Sequence, residues 1–341
     1  MGTGTSTIPQ VSARSDRSRE LRAVVLVLLS AAGFGSLAVL AQLAYGTGVS
    51  VLGLLSGRFV VAAAVLWVIT IVQGRPLPRR RGVLVGISLG AGYSSMALCF
   101  AAALRHIEAN LADLLLFAYP VLVSIGAVAL RRDRWSPRVT AAVAVTGTGI
   151  ALAVVGGGVG IDPLGVTLAL GAAAIYAAYV LTSAFLLAET DPFVLAALVA
   201  TGAGLVFCLD AGAAGQLLPR GGLPGIALVL AVALSSSVLG TSAFLTGVRS
   251  LGASRASIVS SAEPALTAIF AFAALGERFG AVQLLGAGLV LASVPILEVK
   301  RRDTAAQRKK GVPHGHPHQE VISEKRSPRS ASSGRASRGR A

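Results

Sequence analysis

Long apolar runs separated by short polar breaks dominate the chain. Ten of these runs are each close to the roughly 20 residues that a helix needs to cross a bilayer. They lie at 21–44, 51–73, 83–104, 109–130, 139–157, 163–187, 193–213, 224–247, 255–275 and 279–298. Because backbone polar groups in lipid must be satisfied within their own segment, the runs are expected to be helices. The pattern therefore predicts an all-α membrane protein with ten transmembrane helices.

Charge is scarce within the runs and concentrated outside them. Of the 341 residues, 54% are hydrophobic and 13% are charged, whereas soluble proteins carry about 25% charged residues. The net charge is nevertheless +15, and residues 299–341 alone hold twelve basic and three acidic side chains. This Ser- and Arg-rich tail is predicted to be disordered and to lie near lipid headgroups. The composition argues against a soluble enzyme and against a disulfide-rich secreted domain.

The basic residues of the loops predict the orientation in the membrane. With a cytoplasmic N-terminus, the inner segments before the tail hold fourteen Arg, whereas the outer loops hold three. The positive-inside rule therefore predicts that the N- and C-termini are both cytoplasmic. The preference for Arg over Lys and the abundance of Ala, Gly and Val are typical of GC-rich bacterial genomes. This composition indicates the cell (plasma) membrane as the location.

An internal repeat divides the apolar part of the chain into two halves. Residues 103–130 align with residues 247–274 at a constant offset of 144, so that Pro120 matches Pro264. Each repeat holds five predicted spans, and this odd number makes the second repeat enter the membrane from the opposite side. Inverted repeats that meet at the membrane midplane are typical of secondary transporters. The repeat therefore predicts transport by alternating access between two inverted halves.

Three segments of the second half resemble a known family. Residues 261–264 (Ser-Ala-Glu-Pro), 276–278 (Gly-Glu-Arg) and the Gly-rich stretch 283–290 look like the EamA domain of the drug/metabolite transporter superfamily. The likeness extends over nearly all of 23–298, although Arg-Asp-Arg at 132–134 replaces the usual Gly-Glu-Arg in the first half. The resemblance implies a ten-helix bundle of two inverted five-helix EamA repeats. It also implies a transporter of small metabolites such as amino acids or drugs, commonly an exporter.

The predicted organisation has four parts, which are a cytoplasmic N-terminal segment (1–22), two EamA repeats of five spans (23–157 and 163–298) and the disordered basic cytoplasmic tail (299–341). The chain has no GxSxG, HExxH or P-loop motif and no His within a span, so neither an enzyme nor a cofactor or metal site is expected. The expected partners are a small-molecule substrate and the lipid bilayer, not nucleic acid. A coupling proton and a homo-oligomer are left open. A membrane-embedded enzyme and a non-transporting sensor or channel are the alternative functions.

Ionisable residues inside predicted spans are candidates for function because a charge in lipid is costly. Arg58 lies seven residues into the second span and Asp113 four residues into the fourth, both near the predicted outer surface. Opposite charges at similar depth predict an ion pair that gates the outer side or binds a substrate carboxylate. The alternatives are a structural salt bridge and an Arg that extends to the headgroups.

Glu263 lies near the middle of the ninth span, directly before Pro264. Proline lacks the backbone N–H that a helix needs, so the helix is expected to open there. Glu263 is a candidate to bind a substrate amine or a coupling proton, and a neutral, hydrogen-bonded Glu is the alternative. At the matching position of the fourth span, Tyr119 precedes Pro120. The sequence therefore predicts two helix breaks at mid-depth, one with a carboxyl and one with a phenol.

Further polar side chains lie at mid-span positions. Tyr93 of the third span aligns with Ser237 of the eighth, and Tyr176 shares a face of the sixth span with Tyr179. These positions predict a substrate site lined by the third, fourth, sixth, eighth and ninth spans. Close helix packing is the alternative for the small residues, because membrane bundles favour Ser and Gly at helix interfaces.

Overall fold

The structure is a computed structural model that describes most of the apolar part of the chain. The described residues are 10–132 without 104 and 108, 162–216, 221–275, residue 288 and scattered residues between 135 and 149. All of them belong to the unit Met1–Lys300. The predicted tail (299–341) lies outside the described residues. Most of the predicted fifth and tenth spans lies outside them as well.

The described residues form helices and connecting turns, without a strand among them. The helices are α1 (Gln10–Gly46), α2 (Val51–Val72), α3 (Arg80–Ala103), α4 (Ala109–Leu116), α5 (Tyr119–Ala129), α6 (Pro163–Leu186), α7 (Pro192–Ala213), α8 (Gly222–Val232), a π-helical segment (Ala233–Gly240), α9 (Thr241–Leu251), α10 (Ala253–Ser260) and α11 (Glu263–Leu275).

Seven helical stretches of the described residues are long and apolar enough to cross a membrane. They are Ser18–Gly46, Val51–Val72, Arg80–Ala103, Pro163–Leu186, Pro192–Ala213, Gly222–Leu251 and Ala253–Ala274. The predicted fourth span is present as the two shorter helices α4 and α5. Helix α1 begins earlier than the predicted first span, because residues 10–20 contain no Gly or Pro that would end a helix.

Short polar residues and prolines set where several spans begin. The side chain of Asp162 accepts a hydrogen bond from the Leu164 amide (2.9 Å), and that of Asp191 accepts one from the Phe193 amide (2.9 Å). In both helices a proline follows the capping residue, where its missing N–H costs nothing. Gly252, with a φ of 83°, ends α9 in a conformation that favours glycine. Local sequence therefore fixes the ends of these spans.

The helices of one half pack mainly against the helices of the other half. In the first half, α1 lies against α11 and against the eighth span, which comprises α8, the π segment and α9. Helix α2 packs on α7, and α3 packs on α6 and α7. Helices α4 and α5 pack on α6, and α5 also contacts α10. The largest buried cluster accordingly combines residues of both halves, such as Phe59 and Phe207. The core of the bundle therefore lies between the halves.

Glycines bring α3 and α7 into backbone contact. A Cβ atom added at Gly90 would lie 2.2 Å from the Val199 carbonyl oxygen, and one added at Gly202 would lie 2.0 Å from the Ile87 carbonyl oxygen. Small residues at such crossings let helices approach closely in a membrane. The third and seventh spans are therefore fixed to each other at their backbones.

Candidate functional site

The fourth and ninth spans are interrupted at equivalent positions. The first residues of α4 and α10 differ by 144 positions, and so do their last residues. The first residues of α5 and α11, Tyr119 and Glu263, differ by 144 positions as well. Two turn residues separate the helices in each span, Phe117 and Ala118 in the fourth and Ser261 and Ala262 in the ninth. The internal repeat seen in the sequence therefore extends to the geometry of the backbone.

The backbone hydrogen bonds at the two interruptions also match. The amide of Ala118 donates to the Leu115 carbonyl (3.1 Å), and the amide of Ala262 donates to the Val259 carbonyl (3.2 Å). Both bonds span three residues instead of the four of an α-helix, so each helix tightens before its break. Pro120 and Pro264 then lie in the first turn of the next helix, where the absent N–H is tolerated.

Glu263 and Tyr119 are the first residues of the helices that restart. Tyr119 is only 1% exposed, and its side chain lies close to that of Ser260 at the end of α10. Glu263 lies near enough to interact electrostatically with Tyr119 and with Tyr176 of α6. Glu263 lies in the first turn of α11, where the N-terminal end of the helix is partially positive. The structure therefore brings three of the predicted site residues together.

Aromatic rings from several spans form one connected cluster around this point. The ring centroids of Tyr119 and Tyr176 lie 4.6 Å apart, and those of Tyr176 and Tyr179 lie 5.7 Å apart with nearly parallel planes. Tyr93 of α3 lies edge-on to Tyr179 at 5.6 Å and to Phe59 of α2 at 5.7 Å. We call Tyr93, Tyr119, Tyr176 and Tyr179 the tyrosine cluster.

A small cavity adjoins the tyrosine cluster and has a volume of about 10 Å³. This volume is near the minimum that one water molecule requires, so the cavity is too small in this conformation to hold an organic substrate. The cavity is lined by Phe34, Phe59, Tyr93, Tyr176, Tyr179, Val199, Thr241 and Phe244. Six spans of both halves contribute to this lining, so movement between the halves would change its size.

Phe34 was missed in the sequence reading, and the residues on either side of it explain its position. A Cβ atom at Gly33 would lie 2.4 Å from the Ser235 carbonyl oxygen, and one at Gly35 would lie 3.1 Å from the Thr267 amide nitrogen. These two glycines let α1 approach both the eighth and the ninth spans while the Phe34 ring lines the cavity. The Gly-Phe-Gly pattern at 33–35 is the signal that could have found this residue.

The eighth span contains an unpredicted π-helical segment where the predicted site residue Ser237 lies. Ser237 is buried, but the residues of this span that line the cavity are Thr241, directly after the segment, and Phe244. Two serines of α1 contact the segment, since Ser30 donates to the Gly240 carbonyl (2.7 Å) and Ser36 donates to the Ser235 hydroxyl (3.2 Å). π-Helical turns often occur at functional sites.

Arg58 is 4% exposed and does not line the cavity, and its guanidinium carbon lies 4.5 Å from the centroid of the Phe59 ring. Its Nε atom has no hydrogen-bond partner among the described residues. Asp113 lies in α4, but its side chain lies outside what the structure describes. The predicted ion pair of these two residues therefore stays a prediction.

Ion pairs connect helices at both ends of the bundle. Arg75 after α2 pairs with Asp191 before α7 (2.6 Å), and Arg255 of α10 pairs with Glu20 of α1 (2.5 Å). Between the end of α3 and the start of α6, the Nδ1 atom of His106 lies 2.7 Å from the Asp162 carboxylate. The hydrogen bond from the Leu164 amide and, next, the contact with His106 lower the pKa of Asp162. Among the described residues no cluster of His, Cys, Asp or Glu could hold a metal.

Comparison with known proteins identifies relatives over most of the chain. The sequence profile of the EamA-like transporter family matches residues 21–155 and 163–298. The chain is 29% identical over 296 residues to the uncharacterized transporter YcbK of Bacillus subtilis (strain 168), covering 82% of this chain and 94% of YcbK. A protein of known crystal structure has a similar fold, with a TM-score of 0.65 and 18% identity over 84% of this chain and 99% of its own.

Proposed function

The chain belongs to the EamA-like transporter family and is a multi-pass membrane transporter, and we propose that it exports small metabolites across the plasma membrane by alternating access. In this proposal ten spans form two inverted five-span repeats, 23–157 and 163–298, between a cytoplasmic N-terminal segment and a cytoplasmic tail. The loop charges, with fourteen Arg on the inner side and three on the outer side, support cytoplasmic termini.

The matched interruption of the fourth and ninth spans is the observation that carries the proposal. In inverted-repeat transporters, broken helices of the two halves meet at the substrate site, and exchange of the conformations of the halves opens the site to alternate sides. Here Tyr119 and Glu263 begin the restarted helices at positions that differ by 144 residues and interact electrostatically. The interleaved packing of the halves supports the same interpretation.

A closed central cavity also supports alternating access. A channel needs a continuous path, whereas a carrier passes through a state in which neither side reaches the site. The cavity of about 10 Å³ next to the tyrosine cluster fits such an occluded state. We further propose that Glu263 carries a coupling proton, because it is an acidic side chain at the centre of the predicted membrane section.

Transport assays with purified protein in liposomes test the proposal. A panel of radiolabelled amino acids and other metabolites, including organic cations, should show saturable uptake of at least one compound and counterflow when that compound is loaded inside. Ion conductance at channel rates without saturable flux would contradict the proposal. No flux of any compound would also count against it.

A pair of tryptophan substitutions provides the matched control. Thr241→Trp should block flux, because an indole would fill the cavity that Thr241 lines. Leu209→Trp in α7 should leave flux unchanged, because Leu209 is 74% exposed and lies away from the cavity lining. Equal flux in the two variants would show that the substrate does not pass through the cavity.

A further inference from the structure

The tyrosines of this protein are concentrated at one place. The chain has five tyrosines, and four of them form the tyrosine cluster, although they come from the third, fourth and sixth spans. Aromatic residues make up only 5% of the sequence. Tyrosine is therefore absent from the rest of the described bundle except for Tyr45, which indicates a specific role for the cluster.

The rings are arranged with their faces at steep angles to one another. Tyr176 and Tyr179 are nearly parallel, with an interplanar angle of 8°, whereas Tyr119 and Tyr93 stand at 67° and 71° to Tyr176. The cluster therefore contains ring faces in more than one orientation. The face of an aromatic ring carries partial negative charge and attracts cations, and sets of aromatic faces are used to bind quaternary ammonium groups.

A carboxyl group lies beside these rings. Glu263 interacts electrostatically with both Tyr119 and Tyr176 and is placed there by the break in the ninth span. None of the eight residues that line the adjoining cavity is basic. A carboxylate and several ring faces together favour a positively charged group over a neutral or anionic one.

Arg58 is the basic residue that precedes the cavity-lining residue Phe59 in the sequence. The Arg58 guanidinium lies over the Phe59 ring and does not line the cavity. Its position gives an anionic substrate group no direct contact with it inside this cavity.

We propose that the transported substrate carries an organic ammonium group, which the faces of the tyrosine cluster and the Glu263 carboxylate bind together. This inference rests on the proposed function and adds the substrate class to it. A proton alone would need only the carboxyl group, whereas the four tyrosines suit an organic cation. The halves must separate to admit the substrate, because the cavity in this conformation holds little more than one water molecule.

Binding of three small probes to the purified full chain tests the proposal. Choline carries a trimethylammonium group, 3,3-dimethylbutan-1-ol is its uncharged isostere, and trimethylglycine adds a carboxylate. Calorimetry should show that choline binds at least about tenfold more tightly than the alcohol, as expected for a desolvated cation on aromatic faces. Equal affinity for choline and the alcohol would overturn the proposal. So would no binding of choline, whereas tighter binding of trimethylglycine than of choline would keep the ammonium group and add a carboxylate to the substrate class.

Substitutions then locate the binding to the tyrosine cluster. Tyr176→Leu should weaken choline binding about tenfold, and Tyr176→Phe should recover most of this loss because the ring face is restored. Glu263→Gln should lower the selectivity for choline over the alcohol by about tenfold. Tyr45→Leu is the matched control, since Tyr45 lies outside the cluster and should leave choline binding unchanged. If Tyr176→Leu does not fold, the Glu263→Gln selectivity decides.

The failure of this inference can be told apart from the failure of the proposed function. If a metabolite of the panel shows saturable flux while choline neither binds nor competes, the protein transports another class of substrate and only the inference is wrong. If no compound shows flux although choline binds with the expected selectivity, the site is correct and the transport function is wrong.

Discussion

At the centre of the bundle the two halves of the chain present the same broken helix with different side chains. The fourth span restarts with Tyr119 and the ninth with Glu263, and the preceding hydrogen bonds of the two breaks correspond residue by residue. The duplicated backbone has therefore kept its geometry while one copy carries a charge and the other a phenol. Two halves with the same backbone geometry can therefore enclose a site in which only one half supplies a charge for a substrate group.

The third and eighth spans differ in the opposite way, because their backbones diverge. Helix α3 is α-helical throughout and meets the backbone of α7 at Gly90. The eighth span turns into a π-helical segment, which α1 contacts through Ser30 and Ser36 hydroxyl groups and through Gly33. The eighth span therefore combines a close backbone contact at Gly33 with hydroxyl hydrogen bonds, whereas the third span meets α7 through close backbone contacts.

Removing the charge of Glu263 tests the chemical difference between the fourth and ninth spans and has the largest expected effect. Glu263→Gln should abolish pH-driven uptake, because an amide cannot carry the coupling proton. Counterflow should persist when the substrate concentration is raised about tenfold to offset the weaker cation binding. Flux into liposomes with and without a pH gradient measures both.

Glu189→Gln is the matched control for that experiment. Glu189 is an exposed carboxylate between the sixth and seventh spans and touches none of the cavity residues. It should leave both pH-driven uptake and counterflow at the level of the unmodified protein. If pH-driven uptake were unchanged in Glu263→Gln, another group would carry the proton. The chemical difference between Glu263 and Tyr119 would then not account for proton coupling.

Much of this arrangement follows from sequence patterns with a simple physical basis. Apolar runs of sufficient length predict spans, and the offset that pairs Pro120 with Pro264 predicts where two of these spans break. The prolines act locally, through a missing hydrogen bond, so their effect can be read without knowing the fold. Glu263, Tyr119, Tyr93 and Tyr176 were found because polar groups are conspicuous within apolar runs.

The parts that could not be predicted depend on contacts between spans. The π-helical segment of the eighth span contains no proline, and its serines and alanines are compatible with an ordinary α-helix. Phe59 and Phe244 look like any other lipid-facing or core residues until the packing directs them to one cavity. Whether an apolar residue in a membrane lines a cavity or packs between helices depends on tertiary contacts. The hydrophobic pattern of the sequence does not distinguish the two roles.

Filling the contact at Gly33 tests the difference between the third and eighth spans. Gly33→Ala places a Cβ atom where the Ser235 carbonyl oxygen lies 2.4 Å away, so α1 or the π segment must move. We expect a loss of about 1–3 kcal/mol in stability, as for other overpacked contacts. Thermal unfolding in detergent measures it, together with the affinity for substrate.

Gly92→Ala in the third span is the control for Gly33→Ala. Both glycines are helical, but no atom beyond the helix lies within 4 Å of a Cβ atom added at Gly92. This substitution should leave stability unchanged or raise it slightly, because Ala favours a helix over Gly by up to about 1 kcal/mol. If Gly33→Ala were as stable as Gly92→Ala, the eighth span would accommodate the added methyl group without loss of stability. The close contact at Gly33 would then not hold α1 to the π segment.

The ion pairs at the two ends of the bundle give the smallest expected effect and extend the comparison of the halves. Glu20 at the start of the first span pairs with Arg255, and Asp162 at the start of the sixth pairs with His106. The folded protein lowers the pKa of Asp162 through the Leu164 amide and His106. The stabilisation is therefore present above the unfolded pKa of about 3.9 and is lost as the pH falls through the lower folded value.

Asp162→Asn should flatten this acid dependence. The unfolding temperature of the unmodified protein should fall more steeply below about pH 4 than that of the variant, because only the unmodified carboxylate must take up a proton. His106→Gln should give an intermediate slope, since it removes the lesser contact and keeps the hydrogen bond from the Leu164 amide. Identical slopes in all three proteins would mean that Asp162 titrates alike in the folded and unfolded states. The contacts of Asp162 would then contribute no pH-dependent stability.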